Sequence, residues 1–104
     1  MDRVFQALAD PTRRAVLERL RRGPARMSQL AQPFPMALPS FSQHLDVLEH
    51  CGLVRSRKRG RVRTYRLTPL PLRAAEHWLQ RQRTHWERRL DQLDGYLQNL
   101  KEQA

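Results

Sequence analysis

Apolar residues in the middle of the chain recur at helical spacing. Phe41, Leu45 and Leu48 are four and three positions apart, so they share one face of a predicted α-helix. Gly52 follows, and a glycine just past the last periodic position is typical of a left-handed helix C-cap. Residues 53–67 then have the composition of two β-strands that turn at Gly60. The pattern predicts a helix leading directly into a β-hairpin.

Three shorter helices are predicted before this one, over residues 2–9, from Asp10 to Gly23, and over residues 27–32. Asp10 is a suitable N-cap for the second, and Pro11 fits its first turn. Their inward-facing residues are expected to be Val4, Phe5, Leu8, Val16, Leu17, Leu20, Met27, Leu30 and Ala31. Residues 33–39 contain three prolines, which predict a stiff, extended turn, with Pro39 at the start of the central helix.

The C-terminal third predicts one long helix. From Leu72 to about Leu100 there is no proline, which allows about 29 helical residues, or roughly 43 Å. An apolar stripe with alternating steps of three and four follows Leu79, Gln82, Trp86, Leu90, Leu93, Leu97 and Leu100. Its first two turns are expected to pack on the chain's own core, whereas the part beyond Trp86 needs a partner.

The central helix and the hairpin carry side chains suited to DNA. Ser40, Gln43, His44 and Val47 are expected to face away from the apolar side, and the first three fit base edges or phosphates in a major groove. Residues 53–67 hold seven basic side chains and no acidic one. We expect Arg55, Arg57 and Arg59 to share one face of the first strand, and Arg61 and Arg63 to alternate likewise on the second.

The charge of the chain agrees with a polyanionic partner. Twenty Lys and Arg against ten Asp and Glu give a net charge of +10, of which residues 1–67 carry +9. A group of arginines in the second helix is expected to be solvated or near DNA phosphates, namely Arg13, Arg14, Arg19, Arg21 and Arg22. The alternative is a solvated basic surface with no specific partner. No long apolar stretch, signal peptide or lipidation motif is visible, so we expect no membrane partner and a cytoplasmic location.

Four elements in order resemble the ArsR family of bacterial winged-helix repressors. They are Asp10-Pro11-Thr12-Arg13-Arg14, then Phe41-Ser42-Gln43-His44-Leu45 with Leu48-Glu49, then Cys51-Gly52-Leu53-Val54, and the hairpin at Gly60. The match covers almost the whole chain, although the three prolines of residues 33–39 stand where the family more usually has a compact turn with glycine.

The resemblance implies a mainly α fold with a small β-hairpin, in which residues 1–67 form a winged helix-turn-helix and residues 68–104 a C-terminal dimerisation helix, together a single domain. It implies a sequence-specific, dimeric repressor of transcription that binds an inverted-repeat operator in double-stranded DNA. The residues expected to contact DNA are Ser40, Ser42, Gln43, His44, Arg57, Lys58, Arg59 and Arg61. The residues expected at the homodimer interface are Val4, Phe5, Leu8, Trp86, Leu90, Leu93, Leu97 and Leu100.

The residue types and their spacing give little support to a catalytic or metal-binding function. Cys51 is the only cysteine, which excludes an intramolecular disulfide, and we interpret it as a partly buried residue at a helix end. Metal-sensing relatives use cysteine clusters or an Asp/His set, whereas His77 and His85 lack partners at those spacings, although with Glu76 and Glu87 they could meet across a dimer. Glycine-rich phosphate loops and nucleophile-base pairs are also missing, so we expect no enzyme, no metal and no cofactor, and the effector stays unknown.

Two other functions are compatible with the sequence. In a nonspecific nucleic-acid-binding or architectural protein, charge alone supplies the affinity, and any duplex binds equally well. In the other reading, the long helix docks another protein and DNA binding is secondary. A nonspecific protein would show no base preference, unlike a specific regulator. Monomeric behaviour in solution would favour the protein-docking function over a homodimer.

Overall fold

The computed structural model of the chain describes residues 1–103. In chain order the elements are α1 (Asp2–Leu8), α2 (Pro11–Leu20), β1 (Ala25–Arg26), α3 (Met27–Ala31), α4 (Leu38–His50), β2 (Val54–Arg59), β3 (Val62–Leu67) and α5 (Pro69–Gln103). Helices α3 and α4 form the helix-turn-helix, and β2 and β3 form the wing. The predicted fold class, mainly helical with a small β element and a long C-terminal helix, is confirmed.

A single apolar core joins the helices to the base of the wing. The predicted face of α4 is fully buried, since Phe41, Leu45 and Leu48 are each at most 1% exposed. Leu53 and Val54, where β2 begins, are completely buried beside them. Burying such side chains contributes about 1.5–3 kcal/mol each, so α4 and the wing base are fixed to the rest of the molecule.

Local hydrogen bonds set the ends of α2 and α4. The Asp10 carboxylate accepts the Arg13 N–H at 3.0 Å, which is the predicted N-cap of α2. At the end of α4, Gly52 has φ +81°, its N–H donates to the Glu49 carbonyl, and the Leu53 N–H donates to the Leu48 carbonyl at 3.0 Å. This pair of bonds is a Schellman motif, in which glycine adopts a backbone angle that other residues avoid. The predicted cap at Gly52 is confirmed.

The sheet has three strands rather than two. β3 lies in the middle, β2 pairs with it along six residues, and β1 pairs on its other edge through Ala25 with Tyr65 and Arg26 with Thr64. The two-residue strand β1 was not predicted, because it is too short to produce an alternating pattern. It anchors the wing to the segment between α2 and α3.

The proline-rich turn packs on α4. Helix α4 begins at Leu38, so Pro39 occupies its first turn, where the missing N–H is tolerated. The half-buried Phe34 ring stacks on Phe41 with centroids 5.3 Å apart. An apolar contact therefore connects the turn to the buried face of the helix that follows it.

Helix α5 is longer than predicted. It begins at Pro69, not Leu72, because Pro69 and Pro71 both fall in the first turn, where helical N–H groups have no intrahelical partner. It continues to Gln103, and its 35 residues give the chain a longest dimension of 74 Å. Near its start Ala75 is buried, and Trp78 meets Phe5 of α1 edge to face with ring centroids 5.6 Å apart. Its beginning packs on the chain's own core, as expected.

Candidate nucleic-acid interface

Helix α4 presents a polar surface opposite its buried face. Ser40 and Gln43 are exposed there together with Val47, whereas Ser42 and His44 lie half-buried at the two flanks. The predicted outward face is therefore observed for Ser40, Gln43 and Val47. His44 departs from it, because a junction with residues at the start of α2 covers one side of its ring.

That junction joins His44 to Asp10 and Arg13. The Arg13 Nη1 lies 3.3 Å from His44 Nδ1, and the same ring nitrogen is 3.6 Å from the Asp10 carboxylate. Desolvation of Asp10 opposes its ionisation, but the backbone N–H of Arg13, the His44 ring and the Arg13 guanidinium outweigh it, so the pKa of Asp10 falls below its usual value. An arginine only donates, so the contact with Arg13 is a hydrogen bond in the tautomer in which Nδ1 accepts and Nε2 carries the proton.

Two of the arginines that were expected to be solvated or near phosphates donate hydrogen bonds to backbone carbonyls of the chain itself. Arg13 donates to the carbonyls of Ala7 at 2.8 Å and Gln6 at 2.9 Å, and Arg14 donates to the carbonyl of Leu8 at 2.8 Å. These carbonyls lie at the end of α1; that of Gln6 also accepts the Ala9 N–H, whereas those of Ala7 and Leu8 are at positions where intrahelical donors run out. Arg13 is half-buried in these contacts, which corrects the expectation for it, whereas Arg14 is exposed as expected while it also donates to the end of α1.

The register of the hairpin divides the wing into two faces. Residues directly opposite each other on paired strands lie on the same face of a sheet. The inner face, which includes the buried Val54 and Tyr65, also carries Lys58 and Arg63. The outer face, as we define it, consists of Arg55, Arg57, Arg59, Val62, Thr64 and Arg66.

Arg61 differs from its prediction. It lies with Gly60 in the two-residue turn between Arg59 and Val62, and not on a face of the second strand. Gly60 has φ +61°, which suits the first position of a tight hairpin turn. Arg59 and Arg61 therefore stand together at the exposed tip of the wing, while Arg63 lies on the inner face.

A second junction connects α4 to the inner face of the wing. The Ser56 hydroxyl donates to the Glu49 carboxylate at 2.7 Å, and Arg63 Nη1 donates to the same hydroxyl oxygen at 2.7 Å. Tyr65 is buried nearby; its burial raises the pKa of its hydroxyl, and Glu49 adds to this effect while Arg63 opposes it. The angle between the helix and the wing is thus set by charged hydrogen bonds as well as by the core.

The apolar stripe of α5 is exposed beyond Trp78. Its residues Leu79, Trp86, Leu90, Leu93, Leu97 and Leu100 are each 45–62% exposed. On α1, Phe5 and Leu8 remain half-buried at the surface of the core. Val4 differs from the expectation for an interface residue, because it is only 6% exposed and belongs to the chain's own core.

Within residues 1–103, no group of three His, Cys, Asp or Glu side chains is arranged to hold a metal ion. The half-buried Cys51 thiol donates to the Leu48 carbonyl at 3.3 Å, as a residue at a helix end does. Among the described helices none is both long and apolar enough to span a membrane.

Several residues at these junctions were not predicted from the sequence. Glu49 and Ser56 had no expected role, and Arg66 was not expected opposite Arg55. Alternation along β2 and β3 would have assigned each residue to a face once the two-residue turn was known. The contact between Arg13 and His44 joins residues 31 positions apart and has no local signal.

Comparison with curated proteins finds transcriptional regulators. A helix-turn-helix domain family matches residues 8–57. The HTH-type transcriptional regulator Rv2034 of Mycobacterium tuberculosis is 45% identical over 93% of this chain and 85% of its own length. The transcriptional repressor SdpR of Bacillus subtilis is 32% identical over 76% of this chain and 88% of its own length.

Solved structures share the fold along most of the chain. The crystal structure of an ArsR family transcriptional regulator superposes with a TM-score of 0.80 at 57% identity, covering 83% of this chain and 89% of that one. The homodimeric winged helix-turn-helix domain of Mb0332 from Mycobacterium bovis, described as a possible ArsR-family regulator, gives a TM-score of 0.63 at 29% identity, covering 83% and 81%.

Proposed function

The chain belongs to the ArsR family of winged helix-turn-helix transcriptional regulators, and we propose that it acts as a homodimeric repressor at an inverted-repeat operator. Its relatives support DNA binding and transcriptional control as its function. The observation that carries the proposal is the exposed polar face of α4 beside a wing with seven basic residues and no acidic one. A dimer bound over a promoter would exclude RNA polymerase.

In this proposal α4 enters the major groove. Ser40 and Gln43, which are exposed on its outward face, contact base edges first. Ser42 and His44, at the flanks, complete the contacts from either side of the helix. In the tautomer whose Nδ1 accepts from Arg13, the ring would offer its Nε2–H as a donor to a base or to a phosphate oxygen.

The wing supplies contacts to the phosphate backbone. Arg57, Lys58, Arg59 and Arg61 are all exposed, and Arg59 and Arg61 at the tip are placed to reach the backbone or the minor groove. None of these four side chains forms an ion pair with an acidic residue of the described chain. Their charges are therefore available to DNA, where each phosphate contact would add to affinity without selecting sequence.

Dimerisation would use the exposed stripe of α5. An apolar stripe of this length is unusual on the surface of a monomer. We propose that Trp86, Leu90, Leu93, Leu97 and Leu100 pack on a second copy, together with Phe5 and Leu8 of α1. The winged helix-turn-helix domain from M. bovis is homodimeric, which supports dimerisation. Two α4 helices about one turn of DNA apart then require an inverted repeat.

The division between base and backbone contacts is tested by comparing Gln43→Ala with Arg59→Ala. The first should relax base preference, at a cost of about 1–3 kcal/mol on the preferred sequence alone. The second should weaken binding to every duplex and reduce the dependence of log K on log[salt] by about 0.9 per protomer, or about 1.8 for the bound dimer. Equal losses on preferred and scrambled DNA for both variants would contradict the proposal and favour a nonspecific nucleic-acid-binding protein.

The dimer is tested separately by sedimentation at micromolar concentration. Leu93→Glu with Leu97→Glu places two charges in the stripe and should produce a monomer with an intact fold, because both residues are about half exposed. Gln98→Glu with Asn99→Glu places two charges on exposed positions outside the stripe; it is the matched control and should leave the dimer unchanged. A wild-type chain that sediments as a monomer would overturn the dimer and favour docking of another protein on α5.

A further inference from the structure

The hairpin register places like charges directly against each other. Arg55 lies opposite Arg66 on the outer face, and Lys58 lies opposite Arg63 on the inner face. Like charges at directly opposed positions destabilise a sheet. Arg63 is partly compensated, because it donates to Ser56, which in turn donates to Glu49. The outer pair has no such acidic neighbour among the described residues.

The outer face is also concave. A groove of about 590 Å³ runs along it, lined by the arginines Arg55, Arg57, Arg59 and Arg66 together with Pro24, Ser56, Val62 and Thr64. None of these lining residues is acidic, and none of the four guanidinium groups forms an ion pair within residues 1–103. An anion in this groove would relieve the repulsion between Arg55 and Arg66.

The form of the groove favours an extended anion over a compact one. From Arg55 to Arg59 the strand rises about 13 Å, which corresponds to roughly four base-pair steps along a DNA strand. The row is continuous with Arg59 and Arg61 at the wing tip, which the proposed function already places against DNA. A repeating phosphate backbone matches such a row, whereas a single small anion would occupy only part of it.

We propose that Arg55 and Arg66 join Arg57 and Arg59 on the outer face of the wing in a second phosphate-binding surface, distinct from the wing tip, which holds the DNA backbone beyond the base pairs that α4 reads. This inference rests on the proposed function and extends it. The outer face points away from the buried Val54 and Tyr65, and so away from the side of the wing joined to α4. The phosphates it binds would therefore belong to flanking DNA, and affinity would depend on duplex length.

The test uses a double variant that carries Arg55→Gln and Arg66→Gln. Its binding is compared with that of the wild type on duplexes of two lengths that share the same central sequence. The double variant should reduce the slope of log K against log[salt] by about 1.8 per protomer, or about 3.6 for the bound dimer, so a fourfold rise in salt weakens it roughly 150-fold less than the wild type. Lengthening the duplex should strengthen wild-type binding but not that of the variant. The free variant should melt about 1–4 °C higher at low salt, since the like-charge pair is gone.

Two controls separate this surface from net charge and from folding. Arg81→Gln with Arg88→Gln removes two exposed charges from the side of α5 opposite its apolar stripe and should leave slope and length dependence unchanged. Arg55→Lys with Arg66→Lys keeps both charges and should keep most of the slope. An unchanged slope in the Gln double variant, or an equal reduction in the α5 control, overturns the second surface.

The experiments distinguish a failure of the second phosphate-binding surface from a failure of the proposed function. Backbone binding is independent of sequence, so the same comparison is made on a scrambled duplex of equal length. If Gln43→Ala and Arg59→Ala behave as proposed while Arg55 and Arg66 have no effect, only the second surface is lost. If Gln43→Ala leaves base preference unchanged while the length effect depends on Arg55 and Arg66, the surface stands and sequence-specific regulation falls.

Discussion

Replacing Ser56 by alanine should loosen the wing from α4. The hydroxyl of Ser56 connects the Glu49 carboxylate to the Arg63 guanidinium through two hydrogen bonds of 2.7 Å each. Alanine removes both bonds and leaves the buried core contacts of Val54 and Tyr65 intact. Thr at the same position keeps a hydroxyl and is the matched control.

The size of the effect follows from the exposure of the partners. A hydrogen bond to a charged group contributes about 1.5–3 kcal/mol when sheltered from water. Ser56 and Glu49 are half-buried but Arg63 is exposed, so water can replace part of the network. We therefore expect Ser56→Ala to lower the free energy of unfolding by about 1–2 kcal/mol. Each kcal/mol corresponds to about 4–8 °C in melting temperature for a domain of this size.

Thermal and urea unfolding measure the loss, and amide hydrogen exchange in β2 and β3 locates it. Exchange should accelerate in the wing and much less in α2. DNA affinity should fall on all sequences alike, because we propose that the wing contacts phosphates, while the base preference that we assign to Gln43 should stay unchanged. If Ser56→Ala unfolds within about 0.3 kcal/mol of the wild type and of Ser56→Thr, the network is solvated and does not hold the wing.

Three further substitutions test other parts of the structure. Asp10→Ala removes the N-cap of α2 and should lower the free energy of unfolding by about 1 kcal/mol at pH 7. Because the pKa of Asp10 is lowered in the folded protein, this stabilisation is complete above the unfolded pKa of about 3.9 and is lost as the pH falls through the folded value. In urea unfolding at pH 3, the difference in stability between the wild type and Asp10→Ala should therefore be smaller. Gly52→Ala forces a side chain to φ +81°, with its Cβ 3.5 Å from Pro71, and should cost about 1–2 kcal/mol in thermal unfolding. Arg13→Ala should destabilise more than Arg21→Ala, because Arg13 joins α1 to α2 through two carbonyls, whereas the Arg21 ion pair with Glu18 is about 70% exposed; equal unfolding curves would contradict this ranking.

Elements with strong local signals could be predicted from the sequence. The face of α4 follows from the spacing of Phe41, Leu45 and Leu48, and its end from Gly52. The start of α5 could not be placed by the same reasoning, since Pro69 and Pro71 end helices in most positions but are tolerated in a first turn. Strand β1 exists only because β3 offers it a partner some 40 residues later, a contact that no local pattern records.

Some residues of the candidate site could likewise be predicted from local pattern, whereas others depend on distant parts of the chain. The exposure of Ser40 and Gln43 follows from helical periodicity alone. The orientation of His44 depends on Arg13, which arrives from another helix, and the role of Arg13 depends on where α1 ends. The opposition of Arg55 and Arg66 depends on the hairpin register, which the two-residue turn at Gly60 sets. Charge composition predicts a polyanionic partner, but the pairing of strands determines which face meets it.

Selection of bound sequences from a random duplex pool tests the central claim most directly. At about 150 mM salt the Debye length is near 8 Å, so binding that depends only on distant charges is suppressed. A homodimeric regulator that reads bases through α4 should recover an inverted repeat whose half-sites lie about one helical turn apart, and Gln43→Ala should blur that motif. Recovery of no motif by the wild type would contradict sequence-specific regulation and leave a protein that binds DNA through charge alone.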